Sequence, residues 1–104
     1  MKFLILVNDR DPWPMDMALP MLQGLKAWGE NWLKSGKFEY LWVNTGGKGG
    51  GAIANVNSSE ELHTIMSTYP AYGTDAIKVT PISDFAQSID INIRSFQEMM
   101  SKMH

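Results

Sequence analysis

Short apolar segments alternate with longer amphipathic segments along this chain, and their order restricts the fold more than any other feature. Residues 2–7 form an almost continuous apolar run that ends at the polar Asn8, which is typical of a central strand covered on both faces. In residues 17–34, apolar side chains recur at three- and four-residue spacing, which predicts a helix that ends at Ser35 and Gly36.

A hairpin is predicted next. Residues 37–44 alternate in the manner of a strand, residues 46–51 are rich in glycine, and residues 52–56 predict a second strand that pairs back on the first. Strict alternation places large side chains on both faces, with Phe38, Tyr40 and Trp42 on one and Glu39, Leu41 and Val43 on the other.

The remaining segments predict two helices and one strand. Ser58 and Glu61 have the spacing of a capping box, so a helix begins there, and Pro70 ends it. Residues 76–80 predict a fourth strand. A C-terminal helix follows, with Ser83 as its predicted N-cap and an apolar stripe along its length.

The resulting order, β-α-β-β-α-β with an extra C-terminal helix, predicts an α+β fold of the ferredoxin-like type. The 104 residues are enough for one such domain, which we expect to span residues 1–104. Its helices cover only one face of the sheet, and the other face carries bulky apolar side chains. We therefore expect a homodimer or a higher homo-oligomer, in which a second copy packs on that face and closes an α/β barrel.

Charge and composition exclude several classes of function. The formal net charge is −2 without a basic block, which argues against binding to nucleic acid or to an anionic membrane. The chain has no cysteine, so disulfides, thiolate nucleophiles and the usual structural zinc sites are excluded. The apolar run at residues 1–7 is too short for a signal peptide or a membrane span, so a cytoplasmic protein is expected.

An aromatic surface in the predicted hairpin is one candidate for binding a substrate. Tyr40 and Trp42 share a strand face, and Asn44 follows two residues later, so a flat apolar or aromatic molecule could lie against the rings while the amide orients it. The alternative interpretation is that the two rings belong to the core or to a dimer interface.

His63 and Tyr72 are the candidate catalytic residues. His63 lies early in the predicted second helix, where an imidazole could move a proton, and Tyr72 lies in the turn after that helix, where its hydroxyl could donate to a substrate oxygen. The alternative for His63 is a residue at the edge of the core without a chemical role. One of Asp9, Asp11 and Glu39, near the predicted strand ends, could act as a base if partial burial raises its pKa. The alternative for the two aspartates is that they are solvated charges of a loop.

Several short segments together resemble the muconolactone isomerase-like family of the dimeric α/β-barrel superfamily. The resemblance implies a ferredoxin-like dimer and a small-molecule enzyme, and it implies that His63 faces a cavity between helices and sheet. It lies in Gly36-Lys37, Leu41-Trp42, Gly46-Gly47, Ser59-Glu60-Glu61-Leu62-His63, Pro70-Ala71-Tyr72 and Ile77-Lys78-Val79.

Three functions remain open at this point. The first is an enzyme that isomerises a small cyclic or aromatic compound by proton transfer, or oxygenates one without a cofactor. The second is a non-catalytic dimer that senses a ligand or binds a partner, and the third is a haem-dependent monooxygenase-like protein with His63 on the iron. No cofactor or metal is predicted, because the chain has one internal histidine and residues 46–51 lack the spacing of a phosphate-binding loop.

Overall fold

The computed structural model describes residues 1–9 and 12–103, and it confirms the predicted α+β fold. The element order is the predicted β-α-β-β-α-β followed by one more helix. The elements are β1 (Lys2–Asp9), α1 (Met15–Ser35), β2 (Phe38–Val43), β3 (Gly50–Asn55), α2 (Ser59–Ser67), β4 (Asp75–Ile82) and α3 (Phe85–Lys102).

The four strands form one antiparallel sheet in the order β2-β3-β1-β4. Strand β1 is central, as its apolar run predicts, and Ile5 lies opposite Ala52 of β3 and Val79 of β4. Strand β4 is at the edge, where Pro81 is tolerated because an edge strand has one side without a hydrogen-bonded neighbour.

The hydrophobic core lies between one face of this sheet and helices α1 and α2. Helix α1 approaches β2 closely, because the buried Gly29 leaves room for Leu41: a Cβ atom at position 29 would lie 2.7 Å from the Leu41 Cδ2 atom. The buried apolar residues of the core are Phe3, Ile5, Phe38, Ala52, Ala54, Val56, Leu62, Ile65, Met66, Tyr69 and Ala71.

A β-bulge in β2 changes which side chains share a face. The register with β3 shifts between Phe38 and Tyr40, so Phe38 is buried against the helices together with the helix-facing Leu41. Tyr40 and Trp42 point to the opposite face of the sheet, and the indole of Trp42 lies across Gly51. The predicted grouping of Phe38 with Tyr40 and Trp42 is therefore wrong, because strict alternation does not hold through a bulge.

The helix ends follow capping chemistry. Ser58 caps α2 as predicted, and its Oγ accepts a hydrogen bond from the Glu61 backbone N–H at 3.1 Å. The N-cap of α3 is Asp84, and the prediction of Ser83 is wrong by one residue. The reason is that the Asp84 carboxylate reaches the Gln87 backbone N–H at 3.1 Å and satisfies a free donor of the first turn.

Helix α3 projects from the rest of the molecule. None of its residues is buried, and the aromatic rings of Phe85 and Phe96 are 80% and 64% exposed. The radius of gyration is 18.5 Å, compared with about 13 Å for a compact domain of this length. Among the described residues, none of the helices combines the length and the apolar character needed to cross a bilayer.

Candidate active site

A large cavity lies between α1 and the helix-covered face of the sheet. Its volume is about 940 Å³. The sheet contributes Ile5, Val7 and Leu41 to its walls, and α1 contributes Leu22 and Leu25. Because these walls are apolar, they favour a small apolar or aromatic ligand over water.

Tyr69 and Asp75 form the buried polar group of this cavity. The Tyr69 hydroxyl donates a hydrogen bond of 2.8 Å to the Asp75 Oδ2 atom, and Asp75 is only 6% exposed. Burial, followed by the hydrogen bond to Asp75, raises the pKa of Tyr69 well above its usual value, so the phenol stays protonated and remains a donor at neutral pH.

Successive turns bring Asp75 back beneath Tyr69. The Tyr72 N–H donates to the Tyr69 carbonyl at 3.0 Å, and the Asp75 N–H donates to the Ala71 carbonyl at 3.0 Å. Asp75 then begins β4, where its register partner is Asp9 at the end of β1. Two carboxylate residues therefore lie side by side next to the cavity, where β1 ends and β4 begins.

Tryptophan residues hold the segments around this pair. The Trp13 indole N–H donates to the Thr74 hydroxyl at 3.3 Å, and the Trp28 indole N–H donates to the Thr68 hydroxyl at 2.8 Å. The Trp28 ring also packs edge-on against Tyr69, with ring centroids 5.1 Å apart. The phenol that orients Asp75 is thus fixed by packing as well as by hydrogen bonds.

The glycine hairpin and α1 supply the charged rim of the cavity. Lys48 lies in the hairpin, and on α1 the Lys26 Nζ atom is 3.9 Å from the Glu30 Oε1 atom. Gly49 has a φ of 81°, and a Cβ atom at this position would clash with the Val7 carbonyl oxygen, so glycine is required there. The hairpin therefore lies directly against the end of β1.

The structure does not gather the predicted site residues in this cavity. Asn44 is part of the hairpin, where its side-chain amide donates to the Lys48 carbonyl at 3.1 Å. Tyr40 and Trp42 pack on each other on the open sheet face, with ring centroids 5.8 Å apart. Trp42 borders the cavity, but its ring lies on the open face.

His63 and Tyr72 do come together, in a separate groove between α2 and β4. This groove has a volume of about 690 Å³, and its apolar lining includes Phe3, Ile77 and Val79. Both side chains are exposed there, Tyr72 by 48%.

The three candidate carboxylates lie apart from this groove or outside the described residues. Asp9 borders the main cavity, and Glu39 forms an exposed ion pair with Lys2 at 3.1 Å. Asp11 lies outside the described residues.

Sequence reasoning missed Asp75 and the role of the Tyr69 hydroxyl. Tyr69 lies two residues after the end of α2 and is buried, and a buried phenol needs a hydrogen-bond partner, which was the available signal. Asp75 lies one residue before the predicted strand, where a charged residue is usually solvated. In the part of the chain that the structure describes, no group of three or more metal-binding side chains occurs.

Two known proteins of similar sequence are both muconolactone Δ-isomerases. The chain is 32% identical over 83 residues to muconolactone Δ-isomerase 1 of Acinetobacter lwoffii, and the aligned region covers 80% of this chain and 86% of that protein. It is 32% identical over 76 residues to muconolactone Δ-isomerase of Acinetobacter baylyi, covering 73% and 79%. No protein-family profile matches the chain.

Two solved structures share the fold. A muconolactone isomerase crystal structure superimposes with a TM-score of 0.74 at 21% identity, covering 82% of this chain and 91% of that one. The dehydrochlorinase of 5-chloro-2-hydroxyhydroquinone from Burkholderia phenoliruptrix, in complex with 2,5-dihydroxybenzoquinone, gives 0.62 at 24% identity, covering 84% and 98%. With the sequence identities above, these findings show that the chain belongs to the muconolactone isomerase family.

Proposed function

We propose that the chain is an isomerase that moves a proton within a small cyclic or aromatic compound bound in the cavity between α1 and the sheet. The observation that carries the proposal is a large apolar cavity with one buried, hydrogen-bonded carboxylate. The apolar walls of such a cavity favour a ring compound over water, and the carboxylate can move a proton there. Membership of the isomerase family supports the same class of reaction.

His63 and Tyr72 are a second proposed location for the proton transfer. An imidazole changes its charge near neutral pH, and the two side chains share the groove between α2 and β4. The exposure of both residues counts against this location, because water competes there with a bound substrate. Variants at each location can separate the two proposals.

We also propose that the protein works as a dimer or a larger assembly of identical chains. The sheet face that carries Tyr40 and Trp42 is not covered by any helix of its own chain in the described structure, and Tyr40 is 60% exposed. A second copy packed on this face would bury the aromatic rings and close an α/β barrel. In that arrangement Tyr40 and Trp42 are interface residues and do not bind substrate.

Proton transfer can be tested without knowing the natural substrate. The purified protein is mixed in heavy water with a panel of lactones, phenols and hydroxylated quinones, and deuterium incorporation is followed by NMR. We expect at least one ring compound to exchange or isomerise about 100-fold faster than in buffer, the usual contribution of a positioned acid or base. A panel without any accelerated compound would contradict the isomerase proposal.

A further inference from the structure

We infer that α3 is an interaction surface for α3 of a second copy of this chain, and that the two helices pack side by side in opposite directions. The contact is made by one apolar row, which we call the α3 stripe. This surface is separate from the open sheet face, and the inference does not depend on the reaction. The members of the α3 stripe are Ala86, Ile89, Ile93, Phe96, Met100 and Met103.

The spacing of the α3 stripe is that of helices that pack in pairs. Successive members alternate between three and four residues apart, so they lie on one face of the helix. This is the a and d pattern through which two helices interlock their side chains. Most of the positions outside the stripe are polar, among them Gln87, Ser88, Ser95 and Ser101.

The α3 stripe has no cover within its own chain. None of the described residues of α3 is buried, and half or more of the side chains of Phe96 and Met100 is exposed. A continuous apolar stripe of this length on a soluble protein is typical of an interface. Because α3 projects from the rest of the molecule, the stripe is accessible to another chain.

The symmetry of the stripe indicates a second α3 as its partner. Its midpoint lies between Arg94 and Ser95, and its members are distributed evenly about that point. A two-fold axis through the midpoint therefore brings every member opposite a member of the other helix, as in an isologous interface. The facing pairs are Ala86 with Met103, Ile89 with Met100, and Ile93 with Phe96.

The charges of α3 favour opposite directions for the two helices. The N-terminal half carries Asp84 and Asp90, while the C-terminal half carries Arg94 and Lys102. The antiparallel pair places Asp84 within about one helical turn of the partner's Lys102, whereas a parallel pair would place like charges together. Glu98 also lies in the C-terminal half, but it is on the face opposite to the stripe. The helix dipoles favour the same antiparallel arrangement.

The shape of the molecule is compatible with this pairing. Its longest dimension is 70 Å, and α3 follows β4 at the end of the described chain. An antiparallel pair keeps the two domains at opposite ends of the helices, so the domains do not compete for the same space. If the open sheet face pairs as well, the two surfaces together would join more than two copies.

Spin labels on α3 test the pairing directly. The chain has no cysteine, so a single introduced cysteine carries the label alone. Ser88 and Ser95 lie one heptad apart on the same flank of α3, and Ser95 is beside the midpoint while Ser88 is about 10 Å from it along the axis.

Pulsed electron paramagnetic resonance should give two different distances. In Ser95→Cys we expect the shortest distance between labels to be about 20 Å, the width of two adjacent helices with their labels. In Ser88→Cys it should be about 5–10 Å longer, because the two positions move apart along an antiparallel pair. Equal distances would indicate a parallel pair. Either that result or labels at position 95 farther apart than about 30 Å would overturn the inference.

Two isoleucines of α3 provide matched variants in the labelled Ser95→Cys protein. Ile93 belongs to the stripe and is 49% exposed, and Ile91 is on the opposite face and is 51% exposed. Ile93→Asp should abolish the short distance, because it places a charge in the apolar contact, and Ile91→Asp should retain it. Neither side chain packs in the core, and both changes have the same helix propensity cost, so equal circular dichroism is expected. A short distance that persists in Ile93→Asp, or is lost in both variants, would contradict the pairing.

Discussion

The buried hydroxyl of Tyr69 makes the stability of the protein sensitive to alkaline pH. Burial and the neighbouring Asp75 raise the pKa of Tyr69 above its usual value of 10.0, so the unfolded chain loses this proton first as the pH rises. Its contribution to stability is therefore complete below pH 10 and is lost as the pH rises through the folded pKa.

Tyr69→Phe tests this prediction. Urea unfolding at pH 8 and at pH 11 should show a larger loss of stability in the wild-type protein than in the variant, because Tyr40 and Tyr72 are present in both and cancel. An identical loss in the two proteins would contradict the assignment of the alkaline dependence to Tyr69.

Glu61 makes the stability of the protein sensitive to acid pH. The hydrogen bond from Lys37, whose Nζ atom is 2.7 Å from the Glu61 Oε1 atom, lowers the pKa of Glu61 below 4.5. The contribution to stability is present above the unfolded pKa and is lost as the pH falls through the folded pKa. Lys37→Met should flatten this acid dependence in thermal melts, whereas Lys2→Met, which removes the exposed pair with Glu39, should leave it unchanged.

At the scale of elements, two glycines of α1 provide a matched pair of substitutions. A Cβ at Gly24 has no neighbour within 4 Å, so Gly24→Ala should raise stability by about 0.5–1 kcal/mol through helix propensity. At Gly29 a Cβ would lie 2.7 Å from the Leu41 side chain, so Gly29→Ala should lower stability by about 1–3 kcal/mol through overpacking. Denaturant titration measures both, and equal effects would contradict the close packing of α1 on β2.

The order and type of the elements were predictable because periodicity and capping are local properties. The apolar run of β1, the stripe of α1 and the Ser58 cap each specify an element from neighbouring residues alone. The bulge between Phe38 and Tyr40 was not predictable, because it depends on how β2 pairs with β3 and not on a pattern within β2.

The candidate site was only partly predictable, for the same reason. His63 and Tyr72 were both predicted as site residues, and the structure places them in one groove. The sequence did not indicate that Asp75 is buried and hydrogen-bonded to Tyr69. Burial of a charged residue depends on turns between α2 and β4 that follow no hydrophobic period. The apolar run of β1 and the apolar stripe of α1, which line the cavity, were predicted, whereas the cavity between them depends on how α1 packs on the sheet.

At the scale of the whole molecule, the uncovered surfaces predict self-association. Leu6 lies on the open sheet face and is 38% exposed, and α3 has no buried residue. Light scattering at micromolar concentration should give at least twice the mass of one chain. Leu6→Lys on the open face should shift the protein towards the monomer, while Met15→Lys, at a side chain that is already 91% exposed, should not. A wild-type monomer would contradict this prediction.

The central position of β1 has a consequence for the order in which the chain folds. Both hydrogen-bonded neighbours of β1 lie far downstream, since Lys2 pairs with Asn55 of β3 and with Ile82 of β4. During synthesis β1 is made before β3 and β4, so its backbone stays unpaired until most of the sheet has been made. Contacts this distant in sequence slow folding, so refolding is expected on a timescale of about milliseconds to seconds. Strand β1 is expected to be prone to aggregation during that interval, because its apolar side chains are not yet covered.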